Sequence, residues 1–397
     1  MLRSVSSAKT YLALGILAVS MGFAYHDYLH PMDFRVYHYG ARGVFEGTRP
    51  VYGNASGLGW PMHYRYPPLF LLLFAPLAWL PLGWGAAVWV ILKIAVLVWL
   101  VHEVSRASPL GDKWIAILPC ILFIAPYIVE EFRYGNAQFF VFALTAASLL
   151  YVHKPRLAGG LLALAISLKV WPLFFVPYLA ARCDWKVVSY TLLFVLLLAF
   201  VPSVYFGVAG NLNLLHQWFT QEFHTQLNEN EIWFPNQSLR GVLMRYLTVV
   251  DYSQVPDGNY PQVNVRSLNP AAVRTLWMIL AGTIYAGFLL LAYSRKGEPG
   301  MVDHALAFCL LVLLQPFTQK YALVVLLWPA LITAGFVKGS RIRILIYIAA
   351  ILALVQPLVP GANSQRLLQV LGLDFVAAIL LTAGILVAQR SRSVATL

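Results

Sequence analysis

The 397-residue chain is short of charge: Asp, Glu, Lys and Arg together make up 11% of it, against roughly 25% in soluble proteins. With 60% of its residues hydrophobic, it cannot clothe a water-facing surface, which excludes a soluble globular domain. Acids are scarcer still, 16 Asp and Glu against 28 Lys and Arg, for a net charge of +12. A nucleic-acid footprint needs its bases clustered on one face, whereas here no more than two are adjacent and long apolar runs separate them. Cys120, Cys183 and Cys309 are odd in number and far apart, so they form no closed disulfide framework. His26, His30, His38 and His63 lack the spacing of a zinc site, and no short-period repeat marks a solenoid.

Apolar runs are what the chain has in abundance, and the composition predicts an all-α, polytopic membrane protein forming a single integral membrane domain over 1–397. A spanning helix takes about 20 mostly apolar residues. Candidate spans cover roughly 10–27, 84–102, 114–129, 137–152, 157–168 with 171–181, 187–206, 272–292, 304–317, 320–336, 343–357 and 371–389, about twelve helices when the short pair is counted separately. The first run follows Arg3 and Lys9 as a secretory signal would, but it leaves through Tyr25-His26-Asp27-Tyr28 without a small-x-small cleavage site, so it reads as helix one.

Lys and Arg in short loops mark the cytoplasmic side. With both termini inside, inner connections hold fifteen of them, from Arg3 to Arg392, and the short outer connections hold only Arg133, Lys320 and Arg366. This bias requires that Pro67–Pro81 not cross. That stretch is short and broken by Pro67, Pro68, Pro76 and Pro81, which suits a re-entrant or interfacial hairpin. Two half-length runs meet at Lys169 and Pro172. The junction fits either a broken helix lining a polar cavity or a lysine snorkelling to the surface. Two long outer segments remain: 28–83, which includes the hairpin, and 207–271, with an amide-rich stretch from Asn228 to Gln237 and a polar region from Tyr252 to Asn264. Function concentrates in such polar loops on a rigid scaffold.

In the first of them Asp33 directly follows helix one, where a carboxylate can take a proton from a hydroxyl nucleophile. Around it the chain reads Asp33-Phe34-Arg35-Val36-Tyr37-His38-Tyr39-Gly40, then Tyr64-Arg65-Tyr66-Pro67-Pro68. Further on come Tyr134-Gly135-Asn136-Ala137-Gln138, Leu168-Lys169-Val170-Trp171-Pro172-Leu173 and Asn236-Gln237-Ser238-Leu239-Arg240-Gly241. In this order the elements resemble glycosyltransferase family 87, polyprenol-phosphate-sugar-dependent enzymes of the GT-C superfamily. The resemblance runs from Asp33 to about Tyr321. It departs where many relatives carry Ser-Pro-x-Ser-Trp and a histidine pair, for this chain has Gln315-Pro316-Phe317-Thr318-Gln319-Lys320-Tyr321.

The resemblance implies a GT-C-like fold with outer-face loop helices between helices one and two. It implies an inverting transfer of a hexose, mannose first, from a polyprenyl-phosphate donor to a lipid or glycan acceptor at the outer face of the inner membrane. Asp33 is then the general base, and Glu130 or Glu131 is a second acidic residue that orients the acceptor, binds a cation or simply pairs with Arg133. A departing phosphate calls for cations, and Arg240, Lys320, Arg65 and Arg133 are the outer candidates. Substrate contacts fall to Tyr37, His38, Tyr66, Gln138, Lys169, Asn236, Gln237 and Tyr321, the Asn236 and Gln237 amides suiting sugar hydroxyls. No cofactor beyond the donor substrate is implied; no metal site has ligand spacing, and Lys93, mid-helix, reads as paired inside the bundle. A transporter or flippase of a lipid-linked sugar is the alternative, since broken helices and buried lysines also occur there.

Overall fold

The computed structural model describes residues 2–53, 63–108, 114–224, 236–252, 260–298, 300–336 and 340–395. Their regular structure is all helical, with no strand among them, as a bilayer demands of any segment that must pair its own backbone groups. Helix α1 (Leu2–Leu29) turns into α2 (Met32–Phe45), and α3 (Pro68–Ala78) precedes α4 (Leu82–Ala107), α5 (Trp114–Tyr134), α6 (Gln138–Leu150) and α7 (Pro155–Leu168). A 3-10 turn, Trp171–Phe174, leads to α8 (Phe175–Ala181), α9 (Trp185–Phe200), α10 (Ser203–His224) and α11 (Leu239–Leu247). The last third holds α12 (Pro270–Ser294), α13 (Met301–Leu314), a 3-10 stretch Lys320–Leu326 running into α14 (Leu327–Phe336), then α15 (Ser340–Leu358), α16 (Ala362–Leu371) and α17 (Leu373–Ala395).

Every run expected to span is helical. Among the described residues α4 and α12 can each cross a membrane by length and apolarity, and two bent pairs, α9 with α10 and α16 with α17, bring the number to as many as four. Helix α3 has eleven residues and at 1.5 Å per residue measures about 16 Å, half of the ~30 Å hydrocarbon core. It packs back on α2 before the chain turns through Trp79 and Leu80 into α4.

The α7 helix stops at Leu168 because Lys169 is extended (φ −155°, ψ 133°) and Pro172 has no N–H to continue the ladder. The 207–271 segment differs from the loop expected there. Much of it is helix: α10 leaves α9 at 95° and is bent again at Gly207 (φ 69°), while α11 occupies Leu239–Leu247. Helix α10 exposes Val204, Val208, Phe219 and Phe223. The stretches 225–235 and 253–259, which hold most of the amide-rich and polar regions, lie outside the described residues.

Two apolar clusters organise the packing. The larger runs through α4 to α9 and α12 to α17 around Phe142, Phe308 and Trp328. The smaller is aromatic and sits under α2 and α3: Phe34, Tyr37, Tyr66, Phe70, Phe74 and Trp89 pack ring against ring. Polar groups gather at the helix ends. Arg182, Arg295 and Asp303, from two connections read as inner, form one ion cluster, with Asp303 accepting from Arg182 Nη1 at 2.8 Å and Arg295 Nη1 at 3.1 Å. Asn236, Thr318 and Val370, from three connections read as outer, form another.

Candidate active site

Asp33 lies in the first turn of α2, where the helix dipole favours a negative charge. Its Oδ2 accepts a 2.7 Å hydrogen bond from Asn136 Nδ2. Its Oδ1 is buried with no hydrogen-bond partner among the described residues. The amide is itself held: Asn136 Oδ1 accepts from Tyr66 OH at 3.3 Å and from the Gln138 backbone N–H at 2.9 Å, and the Tyr37 and Tyr66 hydroxyls are 3.1 Å apart. One carboxylate oxygen is therefore fixed and the other is left over. Burial pushes the Asp33 carboxyl up to about 6, against the opposing pull of the Asn136 hydrogen bond and the positive charge of Lys169.

The local chain makes this approach possible. Gly135 has φ 68° and faces α2 so closely that a Cβ there would sit 3.2 Å from Phe34 Cβ. A side chain at Gly135 would be strained and would push α2 away. Trp89 Nε1 donates to the Gly135 carbonyl at 2.9 Å, pinning the turn that carries Asn136. At Gly40 a Cβ would lie 2.8 Å from Tyr64 Cδ2, so α2 lies close against the Tyr64–Tyr66 strip.

Lys169, extended at the helix break, brings the cation. Its Nζ stands 5.5 Å from the Tyr66 ring centre and 5.9 Å from that of Tyr321, within cation–π range. Tyr321 in turn lies 6.2 Å from the Tyr134 ring. Trp171, two residues past Lys169, donates to Gln138 Oε1 at 3.2 Å. A buried carboxylate with a free oxygen, a cation that acts on its charge, and a wall of tyrosines thus converge from α2, the α5–α6 turn, the α7–α8 break and the start of the Lys320–Leu326 stretch.

The sequence profile of glycosyltransferase family 87 matches residues 64–316, which include the Tyr64–Pro68, Tyr134–Gln138 and Leu168–Leu173 motifs of this cluster but neither Asp33 nor Tyr321. The chain belongs to glycosyltransferase family 87. A polyprenol-phosphate-mannose-dependent alpha-(1-2)-phosphatidylinositol mannoside mannosyltransferase of Mycobacterium tuberculosis (strain ATCC 25618 / H37Rv) is 26% identical over 357 residues, 83% of this chain and 75% of that protein. A protein of the same description from Mycolicibacterium smegmatis (strain ATCC 700084 / mc(2)155) is 30% identical over 175 residues, 38% of this chain and 39% of that one. The protein is a membrane glycosyltransferase.

The glycosyltransferase brings together Asp33, Tyr37, Tyr66, Gln138, Lys169 and Tyr321 among the residues singled out from sequence. The others lie elsewhere or are engaged. Glu131 is fully buried and doubly held, by Lys93 Nζ at 2.9 Å and by the Phe139 backbone N–H at 2.9 Å. Such a pair keeps its place because either charge alone would be stranded. Glu130 stays at the rim with Arg133, 4.0 Å away. Arg65 is clasped by Glu222 of α10 at 3.1 Å, His38 Nε2 lies 2.9 Å from the Leu80 carbonyl, and Lys320 Nζ points to Gln356 Oε1 at 3.4 Å.

The Asn236-Gln237-Ser238 motif takes a different form from the sugar-facing amides expected. Asn236 Oδ1 accepts from the Ser238 and Thr318 backbone N–H groups, both at 3.0 Å, and its Nδ2 donates to the Pro316 carbonyl at 2.9 Å. Gln237 anchors its Nε2 on the Gln369 carbonyl at 3.0 Å. Arg240 is 2% exposed, with its guanidinium 5.4 Å from the Trp277 ring centre. This knot fixes the 316–318 turn and so places Tyr321 from behind. Sequence reasoning missed Asn136, although the residue stood inside a quoted motif; the signal was its place between Gly135 and the start of α6, where a side-chain amide can serve two neighbours. Among the described residues no three His, Cys, Asp or Glu side chains gather around a metal position.

Proposed function

We propose that this glycosyltransferase transfers a mannosyl unit from a polyprenyl-phosphate donor to a hydroxyl of a lipid or glycan acceptor, with Asp33 as general base. The observation that carries the reading is the Asp33 carboxylate: Oδ2 is tied to Asn136 while the buried Oδ1 is unmatched. An acceptor hydroxyl donating to Oδ1 is held in line for attack. As its oxygen bonds to the anomeric carbon, its proton passes to Asp33 and the carbon–oxygen bond to phosphate breaks, releasing polyprenyl phosphate. A single displacement inverts the anomeric centre. Lys169 faces the departing charge, and Tyr37, Tyr66 and Tyr321 shape the sugar subsite. The mycobacterial relatives are described as phosphatidylinositol mannoside mannosyltransferases that depend on such a donor, which supports the sugar and the donor class.

About twelve spans, both termini in the cytoplasm and the site on the outer face of the inner membrane complete the reading. The fifteen-to-three division of bases supports this orientation. So does the gathering of Arg182, Arg295 and Asp303 at one set of helix ends and of Asn236, Thr318 and Val370 at another.

Reconstituted protein given radiolabelled polyprenyl-phosphate mannose and a glycolipid extract tests the proposal. Wild-type protein forms a labelled product, and Asp33→Asn, folded and inserted, loses about 10²–10⁴-fold of that rate, the range of general-base catalysis. Near-wild-type transfer by Asp33→Asn removes the base assignment. Movement of labelled donor across the bilayer without a new glycosidic bond overturns the enzyme reading in favour of transport.

A further inference from the structure

Asp374, in the first turn of α17, is another buried carboxylate held by one oxygen alone. Its Oδ1 accepts from the Tyr127 hydroxyl of α5 at 3.0 Å, and its Oδ2 is buried with no hydrogen-bond partner among the described residues. Lys320 acts on this carboxylate through its charge without closing an ion pair among the described residues. Its Nζ lies instead 3.4 Å from Oε1 of Gln356, in the last turn of α15. That is a long hydrogen bond for a charged donor, and an ammonium has further protons to give. Packing brings the groups together: α5 lies against α15 and the Lys320–Leu326 stretch, and α15 against α17.

The cluster adjoins the Asp33 site without being part of it. Lys320 and Tyr321 are consecutive, and they serve different sides. Lys320 turns its charge to Asp374, whereas Tyr321 sets its ring 6.2 Å from that of Tyr134 and feels the charge of Asp33. Tyr127 and Tyr134 lie two turns apart on one face of α5, about 10 Å of helix rise. A ligand with its reacting end at Asp33 can therefore reach Asp374 with its next unit.

Charge decides what that unit is. Asp374 and Glu130, whose charge also acts on Asp374, outnumber the single Lys320, so the position repels a phosphate. A carboxylate oxygen, an amide and an ammonium around one gap suit a neutral polyol. One hydroxyl donates to Oδ2 and a neighbouring one accepts from Nζ. Leaving a buried acceptor unmatched is costly, and a bound hydroxyl removes that cost.

We propose that Asp374, Lys320 and Gln356 form a subsite for the second sugar of a glycan acceptor, the one linked to the sugar that carries the attacking hydroxyl. The inference rests on the transfer reaction proposed above and adds that the acceptor presents at least two linked hexoses. All three residues follow position 316, where the match to the family profile ends, so they lie in the part of the chain where acceptor choice can depart from that of its relatives.

The test compares kcat/KM for octyl dimannoside and octyl mannoside as acceptors, with the reconstituted protein and polyprenyl-phosphate mannose as donor. We expect wild-type protein to favour the dimannoside by about tenfold or more, the effect of a charge-assisted hydrogen bond. Asp374→Asn keeps the Oδ1 that Tyr127 uses, and Lys320→Met keeps the apolar stem. Each brings the ratio to near one by raising KM for the dimannoside, with KM for the donor unmoved. A wild-type ratio near one, or a ratio that persists in folded variants, overturns the subsite and leaves the transfer reaction standing. A persistent ratio with a raised donor KM in Lys320→Met gives the lysine to the donor phosphate and overturns it too. Transfer to the glycolipid extract but to neither octyl glycoside also refutes it, because two linked hexoses are then not recognised. No transfer to the extract or to either glycoside overturns the proposed reaction and this inference with it. Should Asp374→Asn misfold, Lys320→Met, at a half-buried position, decides alone.

Discussion

Two polar knots in this glycosyltransferase read alike in sequence and differ in structure. Around Asn236, one side-chain amide serves two backbone N–H groups and one carbonyl, and Arg245 Nη1 donates to the Asn236 carbonyl at 2.6 Å. Around Asn136, the amide is engaged just as fully, but the group it holds, Asp33, keeps a buried oxygen unmatched. Buried polar atoms ordinarily find partners. A knot that closes on itself is therefore scaffold, whereas one that leaves a carboxylate oxygen over, beside a cation, is where a substrate group completes the set. The division is not absolute, since Gln237 Oε1 is also buried without a partner among the described residues.

The largest effect that separates the two knots is on folding. Asn236→Ala leaves the Ser238 and Thr318 N–H groups and the Pro316 carbonyl without the amide, and buried groups stripped of partners cost about 1–3 kcal/mol each. A loss near 3 kcal/mol is expected, read as a lower Tm in detergent. The pH midpoint of the surviving activity stays where it was, because nothing at Asp33 has changed. A shifted midpoint with unchanged Tm would merge the two knots into one site.

Lys169→Gln comes next. A charge-assisted hydrogen bond to phosphate contributes about 1.5–3 kcal/mol, so kcat/KM for the donor falls by roughly 10–100-fold with Tm little altered. Binding of the acceptor alone is unaffected. If the donor term is untouched while acceptor affinity drops, the cation serves the other substrate.

A smaller effect concerns pH. Asp33 works as a base only when ionised, and its carboxyl sits at about 6, so activity rises as pH increases through about 6 and levels off above it. The Asn136 hydrogen bond favours the charged form and holds that value down. Asn136→Ala therefore moves the midpoint upward, by about one pH unit for about 1.4 kcal/mol. The variant is several-fold slower than wild type at pH 6 and much closer to it at pH 8. A uniform loss at every pH would make Asn136 a structural residue only.

Much of this organisation was legible in the chain. Asp33 and Lys169 stand out because charge is scarce, 11% of the chain, Tyr66 because it sits in the Tyr64-Arg65-Tyr66-Pro67-Pro68 motif, and the prolines at 67–68 and 172 mark where helices stop. Burial was not legible. Nothing local says that Glu131 meets Lys93, 38 residues away, or that Asn236 closes on Thr318, 82 residues away. Neighbouring acids therefore looked equivalent, and nothing local separates Asn136, which holds Asp33, from Gln138, Asn236 and Gln237, the amides expected to face the sugar. The expected span 187–206 takes in only the first turn of α10, and the rest of that helix falls in the segment expected as an outer loop, although its exposed Val208, Phe219 and Phe223 continue the apolar run.

The smallest effect tests the comparison at its edge. Arg133 is a cation on the same helix end as Glu131, but its side chain is 57% exposed and it lies 4.0 Å from Glu130. Exposed pairs of this kind contribute about 0–1 kcal/mol, because water and salt screen both partners. Arg133→Ala should leave Tm within about a degree or two and transfer within about twofold. Its effect should also shrink as salt is raised, since a rim charge steers an anionic donor more than it binds it. A loss above tenfold that persists in high salt would place the donor phosphate at the rim, and Lys169 would then hold Tyr66 and Tyr321 in place and no longer receive the leaving group.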